Sequence, residues 1–187
     1  QETGATYDPH DMGFLLKYNE AVNRLRLTYT ISDPFWKIRN TQTQFFTQYT
    51  TLVKPNSFTD LMFDISNFTA FQNYWNNYLE FAIHPLGTDD HYESRTWGLM
   101  YKRPLNYEVT WNIASDSRKK FRYHNTLGFM NSPENNNFMY YFEATPRMRF
   151  TDRFMISFTL HYDKNLSDYG WVETEYDPDG DITTWFG

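Results

Sequence analysis

At 187 residues the chain is long enough for one domain with a sizeable interior. The absence of cysteine excludes disulfide frameworks, thiolate zinc sites and cysteine nucleophiles. A formal net charge of −6, from 23 acidic and 17 basic residues, leaves no basic footprint for nucleic acid.

Arg24 to Ile31 alternate with period two. Leu25, Leu27, Tyr29 and Ile31 fall on one side and Arg24, Arg26, Thr28 and Thr30 on the other, the pattern of a strand between two media. Ser32-Asp33-Pro34 ends it, because proline cannot continue a ladder and the aspartate can cap a turn. Ile38 to Val53, rich in Thr, Gln, Phe and Tyr, predicts a long second strand closed by Lys54-Pro55-Asn56. From Asp60 to Phe68, Leu61, Phe63 and Ile65 alternate with Asp60, Met62, Asp64 and Ser66, and Gln72 to Asn76 makes the next turn. Leu79, Phe81 and Ile83 then oppose Tyr78, Glu80, Ala82 and His84, before the polar loop Pro85 to Asp90.

A fifth strand is predicted through Trp97, Leu99 and Tyr101. After Arg103-Pro104-Leu105-Asn106 comes the clearest alternation, Tyr107, Val109, Trp111 and Ile113 against Glu108, Thr110, Asn112 and Ala114, ended by Ser115 to Arg118. Phe121, Tyr123, Leu127 and Phe129 share a face in the next segment, which runs into the loop Asn131 to Asn136. A very long strand sets Phe138, Tyr140, Phe142, Ala144, Met148 and Phe150 against Met139, Tyr141, Glu143, Thr145, Arg147 and Arg149. Thr151-Asp152-Arg153 turns the chain into Phe154, Ile156, Phe158, Leu160 and Tyr162, and a weaker strand follows from Trp171 to Tyr176.

Aromatic residues make up 20% of the chain although its mean hydropathy is strongly polar. The two facts agree if the rings meet an apolar medium on one side and water on the other. No run reaches the ~18 to 20 consecutive apolar residues of a spanning helix, so a membrane would be crossed by strands. The expectation is an all-β, antiparallel, up-and-down transmembrane β-barrel, partial, with about ten strands of near-spanning length in a single segment over 1–187. Its lipid-facing residues would be Leu25, Leu27, Tyr29, Ile31, Val109, Trp111, Ile113, Phe154, Ile156, Phe158 and Leu160. Phe35, Trp36, Tyr74, Trp75, Tyr92, Tyr169 and Trp171 lie at segment ends, where interfacial girdles fall. Alternation also suits a soluble sandwich, whose charged faces would meet solvent. Strand length and the terminal aromatics favour the barrel.

Chemistry-bearing clusters are sparse. Asp177, Asp179 and Asp181 surround Pro178 and Gly180 and invite a calcium reading, but the spacing is not that of an EF-hand loop, and an ordinary polar turn explains it. Asp8-His10-Asp11 and Asp89-Asp90-His91-Glu93 mix metal-ligand types within loops, where adjacent residues seldom converge on one ion. Glu173 and Glu175, two apart on a strand, have the spacing of paired carboxylates without a cleft to hold a sugar. No nucleophile elbow, phosphate loop or HExxH occurs, so no catalytic residue and no cofactor is expected.

The segment YDPHDMGF, Tyr7 to Phe14, resembles the start of the C-terminal barrel region in an uncharacterised family of Bacteroidota. Further matching motifs are Pro34-Phe35-Trp36-Lys37, the Phe71 to Asn77 turn, Ser115 to Phe121, and Asp179-Gly180-Asp181-Ile182 leading to Trp185-Phe186-Gly187. The resemblance implies an outer-membrane barrel preceded by a carbohydrate-binding-like β-sandwich of family 9 type, with no activity to carry over. The implied partners are outer-membrane lipid and lipopolysaccharide, other surface proteins, or further chain that closes the barrel. The sequence would then be an excerpt or a processed product, acting as a membrane anchor or pore component. A secreted or periplasmic sandwich or lipocalin-like module that binds carbohydrate or another ligand is the alternative.

Overall fold

The computed structural model describes residues 19–93 and 99–176, together with the backbone of 182–186. Thirteen strands run in chain order among them. They are β1 (Glu20–Ile31), β2 (Ile38–Leu52), β3 (Ser57–Phe71), β4 (Asn76–His84), β5 (Thr88–Asp90), β6 (Tyr101–Arg103) and β7 (Asn106–Ala114). After these come β8 (Phe121–Ser132), β9 (Asn137–Arg149), β10 (Met155–Ser157), β11 (Leu160–Leu166), β12 (Trp171–Tyr176) and β13 (Ile182–Phe186). There is no helix among the described residues, and so none long and apolar enough to cross a membrane.

The main sheet has the order β1-β2-β3-β4-β7-β8-β9-β10, with β11 also on β9, and every pair is antiparallel. This is the expected all-β, up-and-down meander. Among the described residues it is not closed, however: β1 pairs there only with β2, while β10 and β11 pair only with β9.

β10 and β11 are one stave with a local interruption. Their register on β9 is continuous from Ser157↔Arg147 to Leu160↔Ala144. The break falls opposite Pro146, which has no N–H to give back, although the Phe158 N–H still donates to the Pro146 carbonyl at 3.1 Å. β2 and β3 also deviate locally, around Arg39 and Thr59.

Two expected spanning strands are not staves. The fifth segment contributes only the three residues of β6, paired with β5 in an excursion beyond β4; Trp97 lies outside the described residues. Gly87 allows that excursion: its φ is +70°, and a Cβ there would collide with the Arg103 carbonyl oxygen. Residues Thr88 to Asp90, expected as loop, thereby pair with β6, and Thr88 also pairs with Asp60 of β3. Trp171 to Tyr176 forms β12, which pairs with β13 in a separate two-stranded sheet.

The turns at the two ends of the sheet differ. At one end 32–37, 72–75, 115–120 and 150–154 connect neighbours directly. At the other, two turns are equally short, but β5–β6 and the β12–β13 ribbon also extend from the sheet there.

Candidate functional site

Register carries the alternation of every strand onto two continuous faces. Leu27 lies opposite Phe45, Phe45 opposite Ile65, Ile65 opposite Phe81, Phe81 opposite Val109, and Val109 opposite Phe129. Phe129 then meets Tyr140, and Phe142 meets Tyr162. The same pairing places Leu25, Tyr29, Ile31, Trp111, Ile113, Ile156 and Leu160 on that face. Phe158 follows the same stave parity, and the ring of Phe154, in the preceding turn, lies 5.6 Å from that of Phe150, tilted by 32°. Strand register thus brings Leu25, Leu27, Tyr29, Ile31, Val109, Trp111, Ile113, Ile156 and Leu160 to one side of one sheet.

Among the described residues burial falls on polar more than on apolar side chains. Among the described residues only Leu52, Ala70 and Ala144 are buried apolar side chains, whereas the buried polar set includes Thr50, Thr59, Asp64, Ser66 and Asn125. In central strand β3, Phe63 and Ile65 are 37% and 50% exposed, while Asp64 and Ser66 between and beside them are 8% exposed. Burial normally selects the opposite residues.

The polar face is knitted by side-chain hydrogen bonds. His84 Nδ1 lies 2.7 Å from Asp60 Oδ1, which also accepts from Thr88 Oγ1 at 3.1 Å. Tyr78 donates to Glu80 at 2.9 Å, and Thr126 to Asn112 Oδ1 at 2.6 Å. Gly128 has a packing role here, because its missing Cβ leaves room for the Tyr141 ring, whose hydroxyl lies 3.2 Å from Thr110 Oγ1 on the next strand but one.

Two side-chain donors on the apolar face find their acceptors on that same face. Asn67 Nδ2 donates to Thr43 Oγ1 at 2.9 Å, and Trp111 Nε1 to Asn77 Oδ1 at 2.6 Å.

Aromatic rings gather toward both ends of the apolar face. At the short-turn end are Trp36, Tyr74, Trp75, Phe121, Phe150 and Phe154, all exposed; Trp36 reaches 78%. Toward the opposite end a ladder of rings crosses five staves through Phe81, Tyr107, Phe129, Phe138, Tyr140 and Tyr162, with successive centroids 5.0 to 6.4 Å apart. The sequence pointed to Phe35, Trp36, Tyr74 and Trp75 at the first end, and to Tyr92, Tyr169 and Trp171 at the second. It missed the ladder, since its members meet only through cross-strand register.

The short-turn end also carries a fixed charge pair. Asp116, buried, accepts from the Arg118 guanidinium at 2.9 and 2.8 Å and from the Arg118 N–H at 3.0 Å. These bonds hold the Asp116 carboxyl far below the usual carboxylate range and push the Arg118 guanidinium up. Arg118 in turn lies over the Tyr74 ring, 3.2 Å from its centroid.

The Asp89 to Glu93 cluster is tied into local loop contacts. Asp90 Oδ1 accepts from the N–H groups of Tyr92 and Glu93 at 3.0 Å, and Arg103 lies 3.6 Å from Asp90 and 3.4 Å from Glu93. Glu93 Oε1 accepts from the Trp171 N–H at 2.9 Å, so this acidic loop fastens β12 to the excursion. No group of three metal-ligating side chains converges among the described residues. Glu173 and Glu175 are both exposed on β12. Asp8, His10 and Asp11, like Asp177, Asp179 and Asp181, lie outside the described residues.

An antiparallel, up-and-down all-β sheet with an apolar exposed face and a hydrogen-bonded polar face is the class of protein defined here. The chain belongs to the DUF5916 family, described as a domain of unknown function, whose model matches residues 2–186. No curated protein and no solved structure matches it.

Proposed function

We propose that the chain is part of the wall of a β-barrel in the bacterial outer membrane, serving as an anchor or pore component. The observation that carries this reading is the alternation in β3, where apolar Phe63 and Ile65 are exposed and polar Asp64 and Ser66 are buried. Water penalises that arrangement on both counts. Lipid outside and a hydrated, hydrogen-bonded interior favour it. The dimensions fit as well: nine residues of β4 or β7 at ~3.3 Å per residue, tilted by roughly 40°, rise about 23 Å, close to the ~25 Å apolar band of such barrels. Two belts of aromatic residues toward the ends of this span match the interfacial girdles.

In this reading the excursion and the ribbon lie on the extracellular side and the direct turns on the periplasmic side, following the usual difference in loop length. The setting implied by the resemblance, a Bacteroidota outer membrane with a carbohydrate-binding-like sandwich ahead of the barrel, belongs to the same proposal. No catalytic step is assigned.

The test is paired spin labelling of the intact protein in lipid vesicles. Labels at Val109 and Trp111 are expected to be accessible to dissolved oxygen and shielded from a water-soluble nickel chelate, with the reverse at Thr110 and Asn112. Equal aqueous accessibility at both pairs would replace the barrel by a soluble binding module.

A further inference from the structure

A groove of about 570 Å³ lies between the turn joining β3 to β4 and the turn joining β7 to β8. Trp75, Phe121 and Tyr123 supply its apolar lining, and Lys119 also lines it. Phe121 and Tyr123 pair with Met148 and Pro146, which places them on the apolar face at the short-turn end. The groove therefore sits where the apolar face of the sheet gives way to polar turns.

Charge around it is unequally committed. Asp116, which also lines the groove, is held by Arg118, and Arg118 is further occupied by the Tyr74 ring. Lys119 is exposed and enters no salt bridge among the described residues. Lys37, Arg39, Lys120 and Arg153 are exposed at the same end, against Asp33 and Asp152. An apolar groove beside an exposed cation that makes no salt bridge among the described residues, within a basic margin, complements a molecule with a long apolar part and an anionic head. Its volume falls within the ~300 to 1,000 Å³ of small-molecule sites.

We propose that this groove binds one anionic phospholipid, its acyl chain against Trp75, Phe121 and Tyr123 and its phosphate against the Lys119 ammonium. The inference rests on the membrane reading above and adds a specific lipid to it. A zwitterionic phospholipid offers the same chains, but its own cation offsets the phosphate. Selectivity for net negative charge is therefore the signature of the site.

The intact protein, extracted in detergent and supplied with phosphatidylglycerol or phosphatidylcholine, is examined by native mass spectrometry. Wild type is expected to retain one phosphatidylglycerol in preference to phosphatidylcholine. Lys119→Glu is expected to lower that retention about tenfold, the scale of one charge-assisted contact, and Lys119→Arg to preserve it. Circular dichroism of each variant checks that the sheet is intact. Equal retention of the two lipids, or retention unaffected in Lys119→Glu, overturns the site even if the spin labels report lipid around the staves. If those labels report water on both faces, the membrane reading fails and the lipid site falls with it.

Discussion

Asp116 sits in a turn of six residues between two long strands, and its carboxylate organises that turn from both sides. It accepts from the Arg118 backbone and guanidinium, while Ser115 and Tyr123 close the ladder beside it through the Ser115 N–H to Tyr123 carbonyl bond at 2.8 Å and the Tyr123 N–H to Ser115 Oγ bond at 2.7 Å. A carboxyl with a folded pKa below its unfolded value of ~3.9 stabilises the folded state fully above that value, and the contribution is lost as pH falls through the folded pKa. Asp116→Asn is accordingly expected to lower the urea midpoint of the intact protein in vesicles throughout pH 5 to 8. The gap from wild type should narrow only below about pH 4. A gap that widened in acid would contradict the assigned partner.

At the scale of one strand, β3 separates the two media most sharply. Ile65 is half exposed on a central stave, so in water its replacement by arginine would change stability by no more than ~0.5 kcal/mol. In a bilayer the same change near the midplane costs ~2 to 4 kcal/mol. Ile65→Arg is expected to show the larger cost in vesicle-based unfolding, and Thr110→Lys, on the polar face of β7, a smaller one. Near-equal, small costs for the two would mean that Ile65 meets water. The same strand logic explains Pro146: proline is tolerated because the interruption between β10 and β11 falls opposite it, and the stave resumes in unchanged register.

For the molecule as a whole, the unresolved physical demand is the pair of sheet edges. Among the described residues β1 pairs with β2 alone and the β10–β11 stave with β9 alone. Within hydrocarbon each unpaired backbone group costs several kcal/mol, so only a closed sheet persists there. In the membrane-embedded intact protein, the alternate β1 amides directed away from β2 are therefore expected to exchange with deuterium as slowly as those directed toward it. Fast exchange confined to the outward set would show that the edge stands open, and an open edge is incompatible with a place in the bilayer wall.

Local pattern alone determined most of the architecture. Period-two alternation from Arg24 to Ile31, Asp60 to Ser66 and Tyr107 to Ala114 specified which residues share a side, because successive side chains on a strand point opposite ways whatever the strand pairs with. Proline and asparagine at Pro34, Pro55 and Pro133 to Asn136 marked turns for equally local reasons. What required tertiary structure was everything set by pairing between distant residues. The excursion of β5 and β6 depends on Gly87 passing beneath the Arg103 carbonyl, and the ring ladder from Phe81 to Tyr162 on the register of five staves. Register likewise decided that the apolar sides of separate strands coincide, and pairing that β1 and the β10–β11 stave are the outermost members of the sheet among the described residues, since neither is a property of any strand taken singly.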